Sequence, residues 1–125
     1  MRNSVAEGKK IFDRIAQDLL PKDYELSVVF VADKFSQNLN KKYRGYNHPA
    51  GILSFALSKN MGEIFLNPSR IKKDAKKFGM SEKQALLCMF IHGILHLKGM
   101  RHGARMESKE RSLLKKYDTK HTNRR

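Results

Sequence analysis

The chain is poor in the residues that mark secreted or membrane proteins. Its 125 residues include one cysteine, three prolines and no tryptophan, so no internal disulfide can hold the fold together. The longest apolar run, residues 85–91, is too short to cross a bilayer, and the first twelve residues contain no apolar leader segment. We therefore expect a single cytoplasmic domain over residues 1–125 with no membrane association, in which residues 118–125 form a flexible basic tail.

Acidic residues are also scarce. The chain has 12 Asp and Glu against 26 Lys and Arg, which gives a formal charge of +14. Such an excess favours a polyanion as partner and makes nucleic acid the first candidate. The basic residues are concentrated in residues 34–44, which include no acid, and in residues 101–125. A basic surface that only keeps the protein in solution is the alternative explanation.

Hydrophobic periodicity and turn residues predict an α+β fold with about five helices and a small mixed sheet of about three strands. Asp33 is the predicted N-cap of one helix, Asn67-Pro68 opens another, and Ser81 with Gln84 forms a capping box for a third. Helices are predicted over residues 5–20, 33–43 and 82–98, and a further helix opens at residues 67–69 and runs to residue 78. Strands are predicted over residues 26–31, 51–57 and 62–67, the last two as a hairpin.

The helix predicted over residues 82–98 is apolar on almost every side, which places it inside the protein. It carries His92 and His96, four residues apart and therefore on one face. This spacing suits two imidazoles that bind one metal ion, and a turn at Gly99 can bring His102 back as a third ligand. Three neutral nitrogens leave a tetrahedral ion one open position, as in catalytic rather than structural zinc sites. Two buried core histidines and a surface one are the less favoured alternative.

Two other residues of this helix need a separate explanation. Metzincin peptidases share the spacing His-x-x-x-His-x-x-Gly-x-x-His, but a general-base glutamate follows their first histidine, where this chain has Gly93. The glycine could make room for a bulky substrate beside the ion, or it could let the helix pack closely on a strand. Cys88 lies about 12 Å along the helix from His96, too far to bind the same ion.

The segment HGILHLKGMRH, residues 92–102, resembles the His-Gly-x-Leu-His-Leu-x-Gly-x-Asp-His signature of the YbeY family of metal-dependent bacterial endoribonucleases. Upstream, LNKKYRGYNHPAGILSF and MGEIFLN are similar to two further family segments, in the same order. The resemblance covers roughly residues 25–117. It implies a zincin-like fold with the metal site at the end of a buried helix, a three-histidine site that usually holds zinc, and cleavage near the 3′ end of small-subunit (16S) ribosomal RNA.

By position, the resemblance implies that His92, His96 and His102 are the metal ligands and that Arg44 is functionally important. We expect Arg44, His92 and His96 to be the catalytic residues. A guanidinium can hold a phosphate through two parallel hydrogen bonds and stabilise charge that develops on it. Ser54 could orient substrate or water, or it could be an ordinary strand serine without a chemical role. The RNA-binding candidates are Lys41, Lys42, Tyr43, Arg44, Tyr46 and Arg101, whose two tyrosines could stack on unpaired bases.

The chain departs from the family pattern at two places. Arg101 stands where the family has an acid before the third histidine, and Ala50-Gly51 replaces a Thr-Asp pair. The first change could remove a carboxylate that orients a ligand.

The main functional hypothesis is zinc-dependent cleavage of single-stranded RNA during ribosomal RNA maturation, with the small ribosomal subunit as partner and no organic cofactor. One alternative is a non-catalytic RNA- or ribosome-binding assembly factor with a structural metal. The other is a metalloprotease, which Gly93 and the strongly basic charge disfavour.

Overall fold

The computed structural model of the chain describes residues 2–118, with side chains from residue 10 onward. This part contains five helices and three strands, so the predicted α+β class is confirmed. None of the helices within residues 2–118 combines the length and the apolar character needed to cross a lipid bilayer. The helices are α1 (Arg2–Leu19), α2 (Asp33–Arg44), α3 (Pro68–Lys77), α4 (Glu82–Leu97) and α5 (Ala104–Tyr117), and the strands are β1 (Glu25–Phe30), β2 (Ile52–Ser58) and β3 (Met61–Leu66).

The three strands form one sheet in the order β1-β3-β2. Strand β1 runs parallel to β3, with Val28 opposite Ile64, and β2 runs antiparallel to β3, with Ser54 opposite Ile64. Residues directly opposite each other in a sheet share a face, so Ser54 and Ile64 point to the same side. Within the described residues β2 is an edge strand, and one of its edges is left unpaired by the sheet.

One face of the sheet packs on α4, around which α1, α3 and α5 are arranged. The core on this side is apolar, and Gly93 determines how closely α4 approaches the sheet. A Cβ atom at this position would lie 2.6 Å from Ile52 Cδ1 and 3.1 Å from Ile64 Cδ1. The glycine is therefore explained by close packing on the strands and not by room for a substrate. Fully buried side chains here include Ile15, Ile64, Leu66, Phe90, Ile91, Ile94 and Leu95.

Helix α2 lies on the other side of the sheet. Buried polar side chains join it to the segments around it. Asn67, which is 0% exposed, donates from Nδ2 to Asp33 Oδ1 at 2.8 Å and to Ser36 Oγ at 3.1 Å. Asn40 donates from Nδ2 to the backbone oxygen of His48 at 2.9 Å. These hydrogen bonds tie α2 and the loop that follows it to the end of β3.

The residues predicted to begin helices are confirmed with one correction. Asp33 was expected to cap α2, but Ala32 is the N-cap, and Asp33 is the first helical residue, whose carboxylate accepts the hydrogen bond from Asn67. Its negative charge still lies at the positive end of the helix dipole. The side chain of Asn67 caps α3, and the predicted capping box of Ser81 and Gln84 opens α4.

The last described residues are anchored to the rest of the molecule. The hydroxyl of Tyr117 donates a hydrogen bond to the Asp18 carboxylate of α1. Asp118 is 4% exposed and accepts a hydrogen bond from Gln84 Nε2 of α4 at 3.1 Å. The remainder of the predicted flexible tail, residues 119–125, lies outside the described residues.

Candidate metal centre

Three histidine rings meet at the C-terminal end of α4. His92 and His96 lie one turn apart on the helix, and Gly99, with a φ of 92°, lets the chain turn so that His102 returns toward them. One ring nitrogen from each histidine lies within 4.8 Å of the other two. The ring centroids are between 4.6 and 5.1 Å apart. The structure thus brings together the three histidines that the sequence singled out.

The spacing of these nitrogens fits a single divalent ion. His92 Nε2 and His96 Nε2 are 3.1 Å apart, and two nitrogens bound 2.0–2.1 Å from a tetrahedral ion lie about 3.3 Å apart. His92 and His96 are half-buried, whereas His102 is exposed. Cys88 is not a member of this group. The three imidazoles can therefore hold a metal ion at a site that is open on the His102 side.

The surroundings of His96 favour the neutral imidazole that a metal ion requires. Burial lowers the pKa of His96 below its usual value, and the positive fields of His92, His102 and Arg44 lower it further. The carboxylate of Glu110 acts in the opposite direction on this pKa without cancelling the decrease. A neutral ring keeps a lone pair on one nitrogen, and a lone pair is what binds a metal.

Arg44 shares a cavity of about 510 Å³ with the three histidines. Helix α2 ends at Arg44 and α4 ends just after His96, so the cavity joins the termini of two helices that lie on opposite sides of the sheet. Ser54 of β2 points to the α4 side and also lines it. The complete lining is Arg44, Ile52, Leu53, Ser54, Phe55, Ala56, His92, His96, Leu97 and His102.

The other RNA-binding candidates are exposed and lie outside this cavity lining. The guanidinium carbon of Arg44 is 5.7 Å from the ring centroid of Tyr46, and Lys42 Nζ is 5.3 Å from that of Tyr43, both within cation–π range. The side chains of Tyr43 and Tyr46 are 58% and 53% exposed. These exposed candidates are Lys41, Lys42, Tyr43, Tyr46 and Arg101.

One carboxylate at the cluster was missed by the sequence analysis. Glu110 of α5 accepts a hydrogen bond from His92 Nδ1, and the side chains of Glu110 and His92 are 19% and 21% exposed. The sequence does contain a signal for it. Met106, Glu110, Leu113 and Tyr117 follow one another at intervals of four, three and four residues, so Glu110 is a charged residue on an otherwise apolar helical stripe.

Comparison with known proteins agrees with the resemblance seen in the histidine segment. The family model described as Endoribonuclease YbeY matches residues 3–122. The chain belongs to this family. The YbeY match extends beyond residues 25–117, the part in which family segments were identified from the sequence.

Individual members of the YbeY family match most of the chain. Endoribonuclease YbeY of Neorickettsia sennetsu is 38% identical over 106 residues, which are 76% of this chain and 74% of that protein. Endoribonuclease YbeY of Treponema denticola is 30% identical over 118 residues, which are 86% and 75% of the two chains. The solution structure of TM1509 from Thermotoga maritima superposes with a TM-score of 0.64 at 27% identity, over 87% of this chain and 77% of that one.

Proposed function

We propose that the chain cleaves single-stranded RNA with the help of a zinc ion held by His92, His96 and His102. The observation that carries this proposal is that Arg44 and the three histidines line one cavity. Phosphodiester cleavage requires a positive group for the phosphate oxygens and an activated nucleophile at the phosphorus. A guanidinium and a set of nitrogen ligands for a divalent ion meet both requirements. The family name, endoribonuclease, supports RNA as the substrate.

The residues of the cavity have separate tasks in this reaction. When bound, a divalent ion polarises a phosphoryl oxygen and makes water a stronger nucleophile. Arg44 can donate two parallel hydrogen bonds to the scissile phosphate and, because it stays protonated, stabilises the negative charge that develops there. The hydroxyl of Ser54 can both donate and accept, which suits it to orient the ribose or a water molecule beside the phosphate.

The exposed residues near Arg44 and His102 support a single-stranded substrate. Lys41, Lys42 and Arg101 would bind phosphates outside the scissile one, in a salt-dependent manner. Tyr43 and Tyr46 would stack on bases, and only unpaired bases present their faces for stacking.

We further propose that the physiological substrate is precursor 16S ribosomal RNA in the small ribosomal subunit, in the cytoplasm. The formal charge of +14 supports a large polyanionic partner. Hydrolysis of a phosphodiester needs only water, charge stabilisation and a metal ion, so this proposal includes no organic cofactor.

Two substitutions test the two halves of the site separately. Zinc content is measured by elemental analysis, and cleavage is measured with a labelled single-stranded RNA, with and without chelator. We expect His96→Ala to lose both metal and cleavage, because two imidazoles hold the ion poorly. Arg44→Ala should keep the metal and lose cleavage by on the order of 10²-fold, the usual effect of removing one charge-stabilising donor.

Arg14→Ala is the matched control, because Arg14 is exposed on α1 and does not line the cavity. It removes the same charge as Arg44→Ala and should change neither measurement. Equal cleavage by wild type, His96→Ala and Arg44→Ala would refute the proposal. Casein is included as a second substrate, and its chelator-sensitive cleavage would indicate a peptidase instead.

A further inference from the structure

Glu110 occupies an unusual place for a charged residue. It lies between Met106 and Leu113 on the stripe of α5 that packs against α4, and these neighbours are 1% and 5% exposed. A carboxylate on such a stripe loses hydration, which costs free energy unless a partner replaces the water. Its partner is His92 Nδ1. The packing of α5 on α4 fixes the backbone position of Glu110 beside His92.

The contact has a chemical consequence for His92. A carboxylate can only accept hydrogen bonds, so the Nδ1 atom of His92 must carry the proton. In the neutral ring the lone pair is then on Nε2, the atom that lies 3.1 Å from His96 Nε2 inside the cluster. Glu110 thus selects the tautomer and the ring orientation that direct a lone pair toward the site.

The acidic residue of the family signature is absent from this chain. Arg101 stands at the acidic position before the third histidine, and its side chain is exposed. Glu107, one turn before Glu110 on α5, is exposed as well. Within residues 10–118, Glu110 is the carboxylate that hydrogen-bonds a ring of the cluster.

We propose that Glu110 is the positioning residue of the metal centre, which orients His92 through Nδ1 and raises the affinity of the site for a divalent ion. The inference rests on the metal site proposed above. Carboxylates that orient metal-bound histidines typically contribute a factor of about 10–100 to metal affinity.

The test compares the zinc affinities of wild type, Glu110→Ala, Glu110→Gln and Glu107→Gln, measured by competition with a chromophoric chelator. We expect Glu110→Ala to bind zinc about 10–100-fold more weakly than wild type. Glu110→Gln should fall between the two, because an amide can either accept from or donate to Nδ1 and no longer selects one tautomer. Glu107→Gln removes one negative charge from the same helix and should match wild type.

A second measurement separates orientation from a general loss of structure. Nitrogen-15 NMR of the metal-free proteins reports which nitrogen of His92 carries hydrogen. We expect the Nδ1–H form in wild type and a mixture of both forms in Glu110→Gln. Thermal unfolding in the presence of chelator checks that each variant is folded. If Glu110→Ala does not fold, Glu110→Gln alone tests the role of Glu110.

The outcomes distinguish this inference from the function on which it rests. Wild type that binds no zinc would overturn the metal site and the positioning role together. Wild type that binds zinc, with unchanged affinity and an unchanged His92 tautomer in the Glu110 variants, would overturn the role of Glu110 alone.

Discussion

The two sides of the sheet are stabilised in different ways, and each supplies one half of the candidate site. On the α4 side, buried side chains are almost all apolar, and Gly93 allows helix and sheet to come into direct contact. On the α2 side, the buried polar residues are Ser36, Asn40 and Asn67, whose hydrogen bonds join α2 to the loop that follows it and to the start of α3. Helix α4 carries His92 and His96, and α2 ends at Arg44.

This difference determines how the two halves respond to substitution. Apolar burial is non-directional and tolerates changes that conserve volume. A buried hydrogen-bond network requires each donor and acceptor, because an unmatched polar group costs about 1–3 kcal/mol. Damage on the α2 side should therefore displace Arg44 and spare the proposed metal site. Damage on the α4 side should affect the three histidines first.

The largest effect is expected on the α2 side, for Asn67→Ala. The substitution leaves Asp33 and Ser36 without the donor that Asn67 provides and removes the side-chain cap of α3. We expect the free energy of unfolding, measured with urea, to fall by about 3 kcal/mol. Cleavage of RNA should also decrease, while zinc affinity stays at the wild-type value.

Asn67→Asp sharpens this prediction because it is nearly isosteric. It keeps an oxygen that can cap α3 but has no donor for Asp33, and it places a second carboxylate 2.8 Å from Asp33 Oδ1. The variant should be no more stable than Asn67→Ala. If both variants were as stable as wild type, hydrogen bonding would not stabilise this side of the sheet, and the contrast between the two sides would be wrong.

A smaller effect is expected on the α4 side, for Gly93→Ala. The added methyl group would lie 2.6 Å from Ile52 Cδ1, and overpacking of this kind costs about 1–3 kcal/mol. Alanine stabilises a helix by about 1 kcal/mol relative to glycine, so the net decrease in the free energy of unfolding should be about 1 kcal/mol. Zinc affinity should decrease at the same time because α4 is pushed away from the sheet.

The double variant Gly93→Ala with Ile52→Val tests the cause of that loss. Valine lacks the Cδ1 atom, so the second substitution should cost less in the Gly93→Ala background than in wild type. If the two substitutions instead changed the free energy of unfolding additively, the added methyl group would not be in contact with Ile52. Unchanged stability together with slower RNA cleavage would instead favour the substrate-room explanation for Gly93.

An effect of similar size concerns a hydrogen bond on the α4 side, between Tyr117 and Asp18. Burial, together with the hydrogen bond and negative charge of Asp18, raises the pKa of Tyr117 to about 12. The unfolded chain loses this proton near the ordinary tyrosine pKa of 10.0, so the contribution of Tyr117 to stability is complete below pH 10 and is lost as pH rises toward about 12.

Tyr117→Phe isolates this contribution from the many lysines that titrate in the same range. We expect wild type to be more stable than the variant by about 1 kcal/mol at pH 8, and the difference to shrink as the pH rises above 10. A difference that stays constant up to pH 12 would show that the tyrosine proton is not coupled to folding.

Much of the fold followed from local patterns. The capping box at Ser81, the apolar run that follows it and Gly99 predicted α4, and Asn67-Pro68 predicted the beginning of α3, because these signals act between residues that are close in sequence. Asp33 was assigned the wrong role for the opposite reason. Its partner, Asn67, is 34 residues away, and no local pattern reports a contact at that separation.

In the candidate site, too, some features follow from local sequence and others depend on the tertiary structure. The spacing of His92 and His96 on one helix face is determined by the sequence alone, because helix geometry fixes the distance between residues four positions apart. Only the tertiary structure decided that Gly93 packs on the sheet, that Arg44 shares a cavity with the histidines, and that Glu110 meets His92. Each of these depends on how separate elements pack, and packing is set by the shapes of whole apolar faces, which a spacing between residues does not encode.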